Sequence, residues 1–109
     1  MTNIAIVYYS ATGNIAAMAN AIGEGAASVG AEVRVRQVAE TAPAEAIASN
    51  SKWQAHFDSM AGEPLATLDD LEWADGIALG SPTRFGGPAS QLKSFLDTTG
   101  GLWFKGSLV

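Results

Sequence analysis

The strongest constraint on the fold is a nearly unbroken apolar run near the amino terminus, residues 3–9 (Asn-Ile-Ala-Ile-Val-Tyr-Tyr). A run without polar alternation is typical of a parallel strand that is covered on both faces. A glycine-containing loop follows, and from Ile15 to Ala26 apolar residues then recur at helical spacing. The pattern therefore predicts a strand, a tight loop and a helix, which we expect to end near Gly30.

Two further strands are predicted along the chain. Residues 31–38 (Ala-Glu-Val-Arg-Val-Arg-Gln-Val) alternate apolar and charged side chains, so this strand should have one wet face and lie at an edge of the sheet. Residues 75–81 (Asp-Gly-Ile-Ala-Leu-Gly-Ser) form a shorter apolar run. Strands that alternate with helices form βαβ units with right-handed crossovers, so the expected fold class is α/β with a parallel sheet.

The segment between the second and third strands has little clear periodicity. Pro43 suits the first turn of a short helix over residues 44–49, and Thr67 with the acidic residues after it predicts an N-capped helix over 68–72. Three apolar residues at helical spacing are interpreted as packing residues and not as a ligand platform: Trp53, Phe57 and Met60.

After the third strand, Pro88 is expected to open a helix that residues 98–101 (Thr-Thr-Gly-Gly) end. Its inward-facing residues are predicted to be Leu92, Phe95 and Leu96. Residues 102–109 are expected to form an apolar tail.

Composition narrows the class of protein. With 109 residues, 48% of them hydrophobic and 16% charged, the chain should form one globular domain around a single core. Eleven acidic and six basic residues give a net charge of −5, which disfavours nucleic acid and anionic membranes as partners. Six carboxylates between Lys52 and Arg84 are interpreted as a solvated acidic face, without a metal site.

Cysteine is absent, which excludes disulfides, thiolate metal sites, iron–sulfur clusters and thiol nucleophiles. The sequence lacks an apolar run long enough to cross a bilayer, and its first residues do not have the pattern of a secretory signal. We therefore expect a cytoplasmic protein without membrane insertion.

The first candidate site is the loop at the carboxyl end of the first strand, the edge where open α/β sheets bind ligands. It offers two hydroxyls, a glycine and the free N–H groups that begin a helix, and its residues are Ser10, Ala11, Thr12, Gly13, Asn14 and Ile15. These groups favour an anion, so a phosphate site is predicted, with an ordinary N-capped turn as the alternative. Neither a Walker motif nor a GxGxxG motif is present.

The second candidate site is the loop at the carboxyl end of the third strand. Its residues are Pro82, Thr83, Arg84, Phe85 and Gly86. An arginine can donate hydrogen bonds to the carbonyl oxygens of a planar heterocycle, and a phenylalanine can pack against its edge. Together with a phosphate loop one strand away, this loop indicates a phosphorylated ring compound such as FMN.

Three motifs carry a family resemblance: residues 8–15 (Tyr-Tyr-Ser-Ala-Thr-Gly-Asn-Ile), 80–86 (Gly-Ser-Pro-Thr-Arg-Phe-Gly) and 95–103 (Phe-Leu-Asp-Thr-Thr-Gly-Gly-Leu-Trp). They closely resemble flavodoxin-like NAD(P)H:quinone oxidoreductases of the WrbA type. The resemblance runs along the whole chain, with a loosely matching insert at residues 39–66.

The resemblance implies an FMN-dependent, two-electron reduction of quinones by NAD(P)H. It places FMN against Ser10 to Ile15 and Pro82 to Phe85, and it places Trp103 in the quinone pocket. The family has a tyrosine that touches the nicotinamide where this chain has Thr12. The family also forms tetramers, so a homo-oligomer, dimer or tetramer, is expected.

The resemblance further implies a doubly wound parallel sheet of five strands in the order 2-1-3-4-5, of which this chain holds three. We therefore expect residues 1–109 to be a single flavodoxin-like FMN-binding domain that stops before the fourth strand. The third strand would then be an exposed apolar edge, open to pairing with another chain.

Two residues are set aside as catalytic groups. His56 does not match the family histidine that reaches the flavin, and Ser10 is interpreted as a phosphate ligand and not as a nucleophile. Two alternative functions remain open from the sequence. One is an electron-transfer flavodoxin with a basic redox partner, and the other is an incomplete module that binds no flavin.

Overall fold

The sheet at the centre of the molecule has three parallel strands, seen in a computed structural model that describes residues 1–108. The strand order is β2-β1-β3, with β1 at Asn3–Tyr8, β2 at Glu32–Gln37 and β3 at Gly76–Gly80. Ile6 of β1 is in register with Val35 of β2 and with Ala78 of β3. The predicted parallel α/β fold is confirmed, with all three strands within a residue or two of their expected positions.

Six α-helices and one small hairpin complete the described chain. The helices are α1 (Asn14–Ser28), α2 (Ala44–Ala48), α3 (Ser51–Ser59), α4 (Leu68–Trp73), α5 (Ser90–Leu96) and α6 (Gly100–Lys105), with a 3-10 turn at Asp97–Thr99. The hairpin joins β4 (Thr83–Arg84) to β5 (Gly87–Pro88) in antiparallel pairing. No helix within residues 1–108 combines the length and the apolar content needed to cross a bilayer.

The core lies on both faces of β1, which explains the unbroken apolar run of that strand. On one face Ile6 and Tyr8 pack with α1 residues such as Ala19. On the other face Val7 packs with side chains of the carboxyl-terminal half, and so does Tyr9, the residue after β1. These side chains are Leu71, Ala89, Leu92 and Leu102. Helices thus cover both sides of the sheet, as the doubly wound prediction requires.

The prediction that one face of β2 is exposed to solvent is wrong. The side chains of Arg34 and Arg36 are only 29% and 25% exposed, because α4 covers them. The Arg34 guanidinium lies 4.1 Å from the centre of the Trp73 ring and 3.2 Å from an Asp70 carboxylate oxygen. Alternation of charge along a strand does not distinguish a solvated face from one covered by a stacked ring and a paired carboxylate.

The acidic segment is solvent-exposed as predicted, with one exception: five of its six carboxylate residues are exposed, and one is buried. Asp70 is buried, where it forms a capping box with Thr67 at the start of α4 and pairs with Arg34. Glu72 pairs with Lys105 of α6, and Asp75 accepts a hydrogen bond from the backbone N–H of Asn3 at 2.8 Å. These three carboxylates therefore join elements that are distant in sequence.

The carboxyl-terminal region differs from its prediction in two places. Pro88 belongs to β5, and the helix begins two residues later at Ser90, with Leu92 buried and Phe95 and Leu96 packed against the core as expected. The first residues of the expected tail instead belong to α6, which begins at Gly100 and ends at Lys105, and Leu102 on this helix is buried in the core. Val109, the last residue of that predicted tail, lies outside the described residues.

The outer edge of β3 is open within residues 1–108, as the resemblance implied. Ile77 and Leu79 on this strand are 43% and 53% exposed. Beside them, Met18 and Ile22 of α1 are also exposed and line the same shallow cavity as Leu79. This edge is therefore an apolar surface of the described chain.

Candidate functional site

The two candidate loops leave the sheet side by side. Tyr8 of β1 is in register with Gly80 of β3, and the backbone N–H of Tyr9 donates to the carbonyl oxygen of Gly80 at 3.0 Å. Since both strands end at this bond, residues 10–13 and 81–88 begin at the same edge of the sheet. The topology thus brings together the two segments that the sequence singled out.

The first loop leaves the start of α1 open to an anion. Ser10 is only 2% exposed, and its Oγ accepts a hydrogen bond from the N–H of Gly13 at 3.1 Å. Gly13 occupies the N-cap position with φ +104°, a left-handed conformation that favours glycine. No side chain within residues 1–108 caps this helix, so the N–H groups of its first turn are available as donors.

This donor set fits a phosphate group. Backbone N–H groups at a helix start carry partial positive charge, and the exposed side chains of Thr12 and Asn14 border them. The predicted phosphate loop is therefore consistent with the local geometry. An ordinary turn at the start of α1 remains the alternative, with Gly13 at the N-cap position and no side-chain cap among residues 1–108.

Helix α3 lies across the edge of the sheet, beside the first loop. Its start is set by Asn50, whose side chain accepts hydrogen bonds from the N–H groups of Lys52 and Trp53. From α3, the Nε2 of His56 lies 3.0 Å from the Oε1 of Gln37. The Nδ1 of the same ring lies 3.6 Å from the point that a Cβ on Gly13 would occupy. His56 thus borders the loop although its sequence context gave no sign of this.

Glu40, three residues after the end of β2, is the most heavily hydrogen-bonded side chain at this edge within residues 1–108. Its Oε1 accepts from the Tyr9 hydroxyl at 2.6 Å and from the Trp53 indole N–H at 2.8 Å. Its Oε2 accepts from the Gln91 amide at 2.7 Å and from the backbone N–H groups of Thr41 and Ala42. Glu40 therefore joins α3, α5 and the residue that follows β1.

Sequence analysis missed Glu40 and Gln91. The available signal was a carboxylate placed directly after a predicted strand, at the edge where the loops lie. Its partners, however, are separated from it by up to 51 residues and follow no periodic pattern.

Burial and hydrogen bonding shift the titration of this group. Burial raises the pKa of Tyr9 well above its usual range, and the hydrogen bond to Glu40 raises it further. Burial also acts to raise the pKa of Glu40, but the hydrogen bonds from Tyr9, Gln91 and Trp53 outweigh it and lower that pKa. The pair is thus a neutral phenol that donates to an ionised carboxylate at neutral pH.

A cleft of about 470 Å³ lies beside this group, between α3 and α5. Among its lining residues are Tyr9, Trp53, Arg84 and Gln91. The cleft therefore lies next to the Glu40 group, with one residue of the second loop, Arg84, on its wall.

The second loop has an anchored base and a free tip. At the base, the Oγ of Ser81 accepts from the N–H of Ala89 at 2.8 Å. At the tip, Phe85 and Gly86 have φ of 52° and 83°, as a tight two-residue hairpin requires. The Phe85 side chain is fully exposed, and the one hydrogen bond that Arg84 donates within residues 1–108 goes to the adjacent Thr83 carbonyl at 3.0 Å.

Trp103, expected in a substrate pocket, lies on α6 and is 68% exposed. Its ring stands edge-on to Phe104 at a centroid distance of 5.6 Å. The two loops thus begin next to each other, where Tyr9 donates to Gly80, whereas Trp103 lies on a separate helix.

A parallel sheet in the order 2-1-3, with helices on both faces and an open helix start after its first strand, is characteristic of flavodoxin-like proteins. The comparison of sequences defines the family more closely. Residues 2–108 match the NADPH-dependent FMN reductase family, and the chain belongs to that family. The predictions of a flavodoxin-like oxidoreductase family and of FMN as its cofactor are confirmed.

Curated relatives carry the name NAD(P)H dehydrogenase (quinone). The protein from Deinococcus radiodurans is 50% identical over 105 residues, which are 96% of this chain and 52% of the relative. Those from Azorhizobium caulinodans and Rhizobium johnstonii are 48% and 49% identical over 99% and 100% of this chain, and again 52% of each relative is covered. The chain spans about half the length of the curated relatives it matches.

Proposed function

We propose that residues 1–109 form an FMN-binding domain of an oxidoreductase of the WrbA type, which uses NAD(P)H to reduce quinones. The observation that carries the proposal is the open start of α1 at Gly13, one strand away from the loop of Arg84 and Phe85, in a chain of this family. The names of the relatives support the substrates.

In this proposal the first loop binds the phosphate of FMN. The N–H groups that begin α1, with the Thr12 hydroxyl beside them, donate to the phosphate oxygens. Ser10 binds the phosphate from the base of the loop, and the hydrogen bond that its Oγ accepts from the N–H of Gly13 holds the loop in shape. The remaining loop residues, Ala11, Asn14 and Ile15, frame the same group.

The second loop binds the ring of FMN. Pro82 and Thr83 approach the ring, the Arg84 guanidinium donates to its carbonyl oxygens, and Phe85 packs on its edge. Trp103 borders the quinone. When bound, FMN would supply the hydride-transfer chemistry by which NAD(P)H reduces a quinone by two electrons, and the protein would position it.

A homo-oligomer, dimer or tetramer, in the cytoplasm belongs to the same proposal. The exposed apolar surface of Ile77 and Leu79 on β3, with Met18 and Ile22 on α1, supports association with a further chain or segment.

The test is a titration of the 109-residue chain with FMN, followed by quenching of flavin fluorescence, with the molecular size measured on the same sample. Saturable binding at micromolar FMN supports the proposal, and no binding up to millimolar FMN contradicts it. Arg84→Gln should weaken FMN binding about tenfold, since it removes charged hydrogen bonds. Lys52→Gln removes an exposed cation from α3 and should leave binding unchanged.

A second assay separates the reductase from an electron-transfer flavodoxin. The FMN-loaded chain is mixed with NAD(P)H and a quinone, and NAD(P)H oxidation is followed by absorbance. Quinone-dependent oxidation supports the reductase, whereas FMN binding without such oxidation favours electron transfer.

A further inference from the structure

The chain has a single histidine, His56, and the structure places its two ring nitrogens in different surroundings. The Nε2 lies 3.0 Å from the Oε1 of the buried Gln37. With the Gln37 amide oriented so that its oxygen faces the ring, this oxygen can only accept a hydrogen bond, and that orientation assigns the hydrogen of the neutral ring to Nε2. The Nδ1 is then a lone pair, and it faces Gly13 of the first loop.

We propose that the Nδ1 of His56 shares a proton with the phosphate of the flavin nucleotide bound at the first loop. The inference rests on the proposed function and adds a ligand from α3, outside the two predicted loops. It assigns to His56 a binding role and not a catalytic one.

The proton balance defines how this contact works. The second pKa of a phosphate monoester is about 6, so at neutral pH and above neither the free phosphate nor the neutral His56 holds the shared proton. Binding takes up one proton from solvent and places it between Nδ1 and a phosphate oxygen. A neutral ring without that proton would direct its lone pair at the anion and weaken binding.

The groups around the His56 ring act on its pKa in both directions. Burial lowers the pKa of His56, and the Glu40 carboxylate acts in the opposite direction. On its own helix the nearest charged residues in sequence are Lys52 and Asp58, both exposed. Tyr8 and Glu63 line a cavity together with Gln37, the hydrogen-bond partner of the ring. Because binding takes up one proton, FMN affinity should rise as pH falls, by up to tenfold per pH unit above about pH 7.

A matched pair of variants separates the two nitrogens. In His56→Gln the side-chain amide lies as many bonds from the backbone as Nε2, so it keeps the contact with Gln37 and loses the contact with the loop. In His56→Asn the amide takes the place of Nδ1 and can still donate to a phosphate. Riboflavin, which lacks the phosphate, is the matched ligand.

We expect His56→Gln to weaken FMN binding about tenfold and riboflavin binding less than twofold, with the pH dependence of FMN binding lost. His56→Asn should bind FMN more tightly than His56→Gln. Equal losses for FMN and riboflavin in His56→Gln would show that the residue only supports the fold, and would overturn the inference.

Nuclear magnetic resonance gives a readout that requires neither a variant nor a flavin. As the only histidine, His56 titrates as an isolated signal in the wild-type chain. Inorganic phosphate should raise its pKa relative to chloride at equal ionic strength, and an unchanged pKa overturns the inference. If neither flavin binds, the proposed function fails, while the phosphate titration still decides the role of His56.

Discussion

The two loops at the carboxyl edge of the sheet differ in how much of their shape this chain provides. After β1, Ser10 is buried and accepts a hydrogen bond from the N–H of Gly13, and His56 borders this loop. After β3, Phe85 is fully exposed, and within the described chain the Arg84 side chain donates a hydrogen bond only to the neighbouring Thr83 carbonyl. The phosphate half of the proposed site is thus preorganised by residues 1–108, whereas the ring half presents its side chains uncovered.

The difference has a physical cause in the middle segment. Residues 39–66 place α3 over the edge of the sheet next to the first loop. There Trp53 donates a hydrogen bond to Glu40, and His56 contacts Gln37. The tip of the second loop receives no hydrogen bond from another element within the described chain. The segment that resembled the family least therefore supplies the cover for one loop.

The largest effect should come from Glu40, which holds that cover in place. Glu40→Ala leaves three side-chain donors without an acceptor, those of Tyr9, Trp53 and Gln91. We expect the free energy of unfolding to fall by about 3 kcal/mol in urea denaturation. Glu45→Gln, an exposed change on α2, is the control and should have little effect. A loss below about 1 kcal/mol would show that the group does not support α3.

The same residue predicts a pH dependence. Burial acts to raise the pKa of Glu40, but its hydrogen bonds prevail and hold it below the ordinary 4.5. A carboxylate whose folded pKa is lowered stabilises the protein above its unfolded pKa and loses that contribution as pH falls through the folded pKa. The difference in unfolding free energy between wild type and Glu40→Gln should therefore hold at pH 7 and shrink below pH 4.5.

The next effect separates the loops through their glycines. Gly13 and Gly86 both have positive φ, so alanine is strained at either position. Gly13→Ala also moves the N–H donors of α1, and FMN affinity should fall about 30-fold, equivalent to about 2 kcal/mol. Gly86→Ala, where a Cβ meets open space, should weaken FMN binding no more than about threefold. Equal losses would remove the distinction between the loops.

The two serines test the same distinction with a smaller change. Ser10 accepts from Gly13 in the first loop, and Ser81 accepts from Ala89 at the base of the second. Each alanine variant should lose about 1 kcal/mol of stability. Ser10→Ala should weaken FMN binding about tenfold and riboflavin binding little, whereas Ser81→Ala should weaken both ligands alike. The measurement is fluorescence titration with the two flavins, and a reversed order would contradict the assignment of phosphate and ring.

The smallest effect concerns the tip of the second loop. Asn followed by Gly is a preferred pair for a tight hairpin with positive φ, so Phe85→Asn should raise the free energy of unfolding by up to about 0.5 kcal/mol. It also removes the exposed ring, and FMN affinity should fall about threefold. Calorimetry and flavin titration on one sample check both signs. A loss of stability would mean that Phe85 packs against the protein.

Much of the fold was readable from the sequence because its signals are local. The apolar run of β1 predicted a strand that is covered on both faces. Helical spacing predicted the start of α1 to within one residue of Asn14. Strand order also followed from the resemblance, and with it the placement of both loops at one edge. The wet face expected for β2 failed, because Trp73 and Asp70 cover Arg34 from α4.

The sequence by itself determined the βαβ framework and the two loops, since strand and helix periods and glycine positions act over a few residues. Only the tertiary structure decided what supports those loops. Glu40 meets Gln91 across 51 residues, and His56 reaches Gln37 and Gly13 from an aperiodic segment. Such contacts depend on how α3 and α5 pack across the edge of the sheet, which no local pattern encodes.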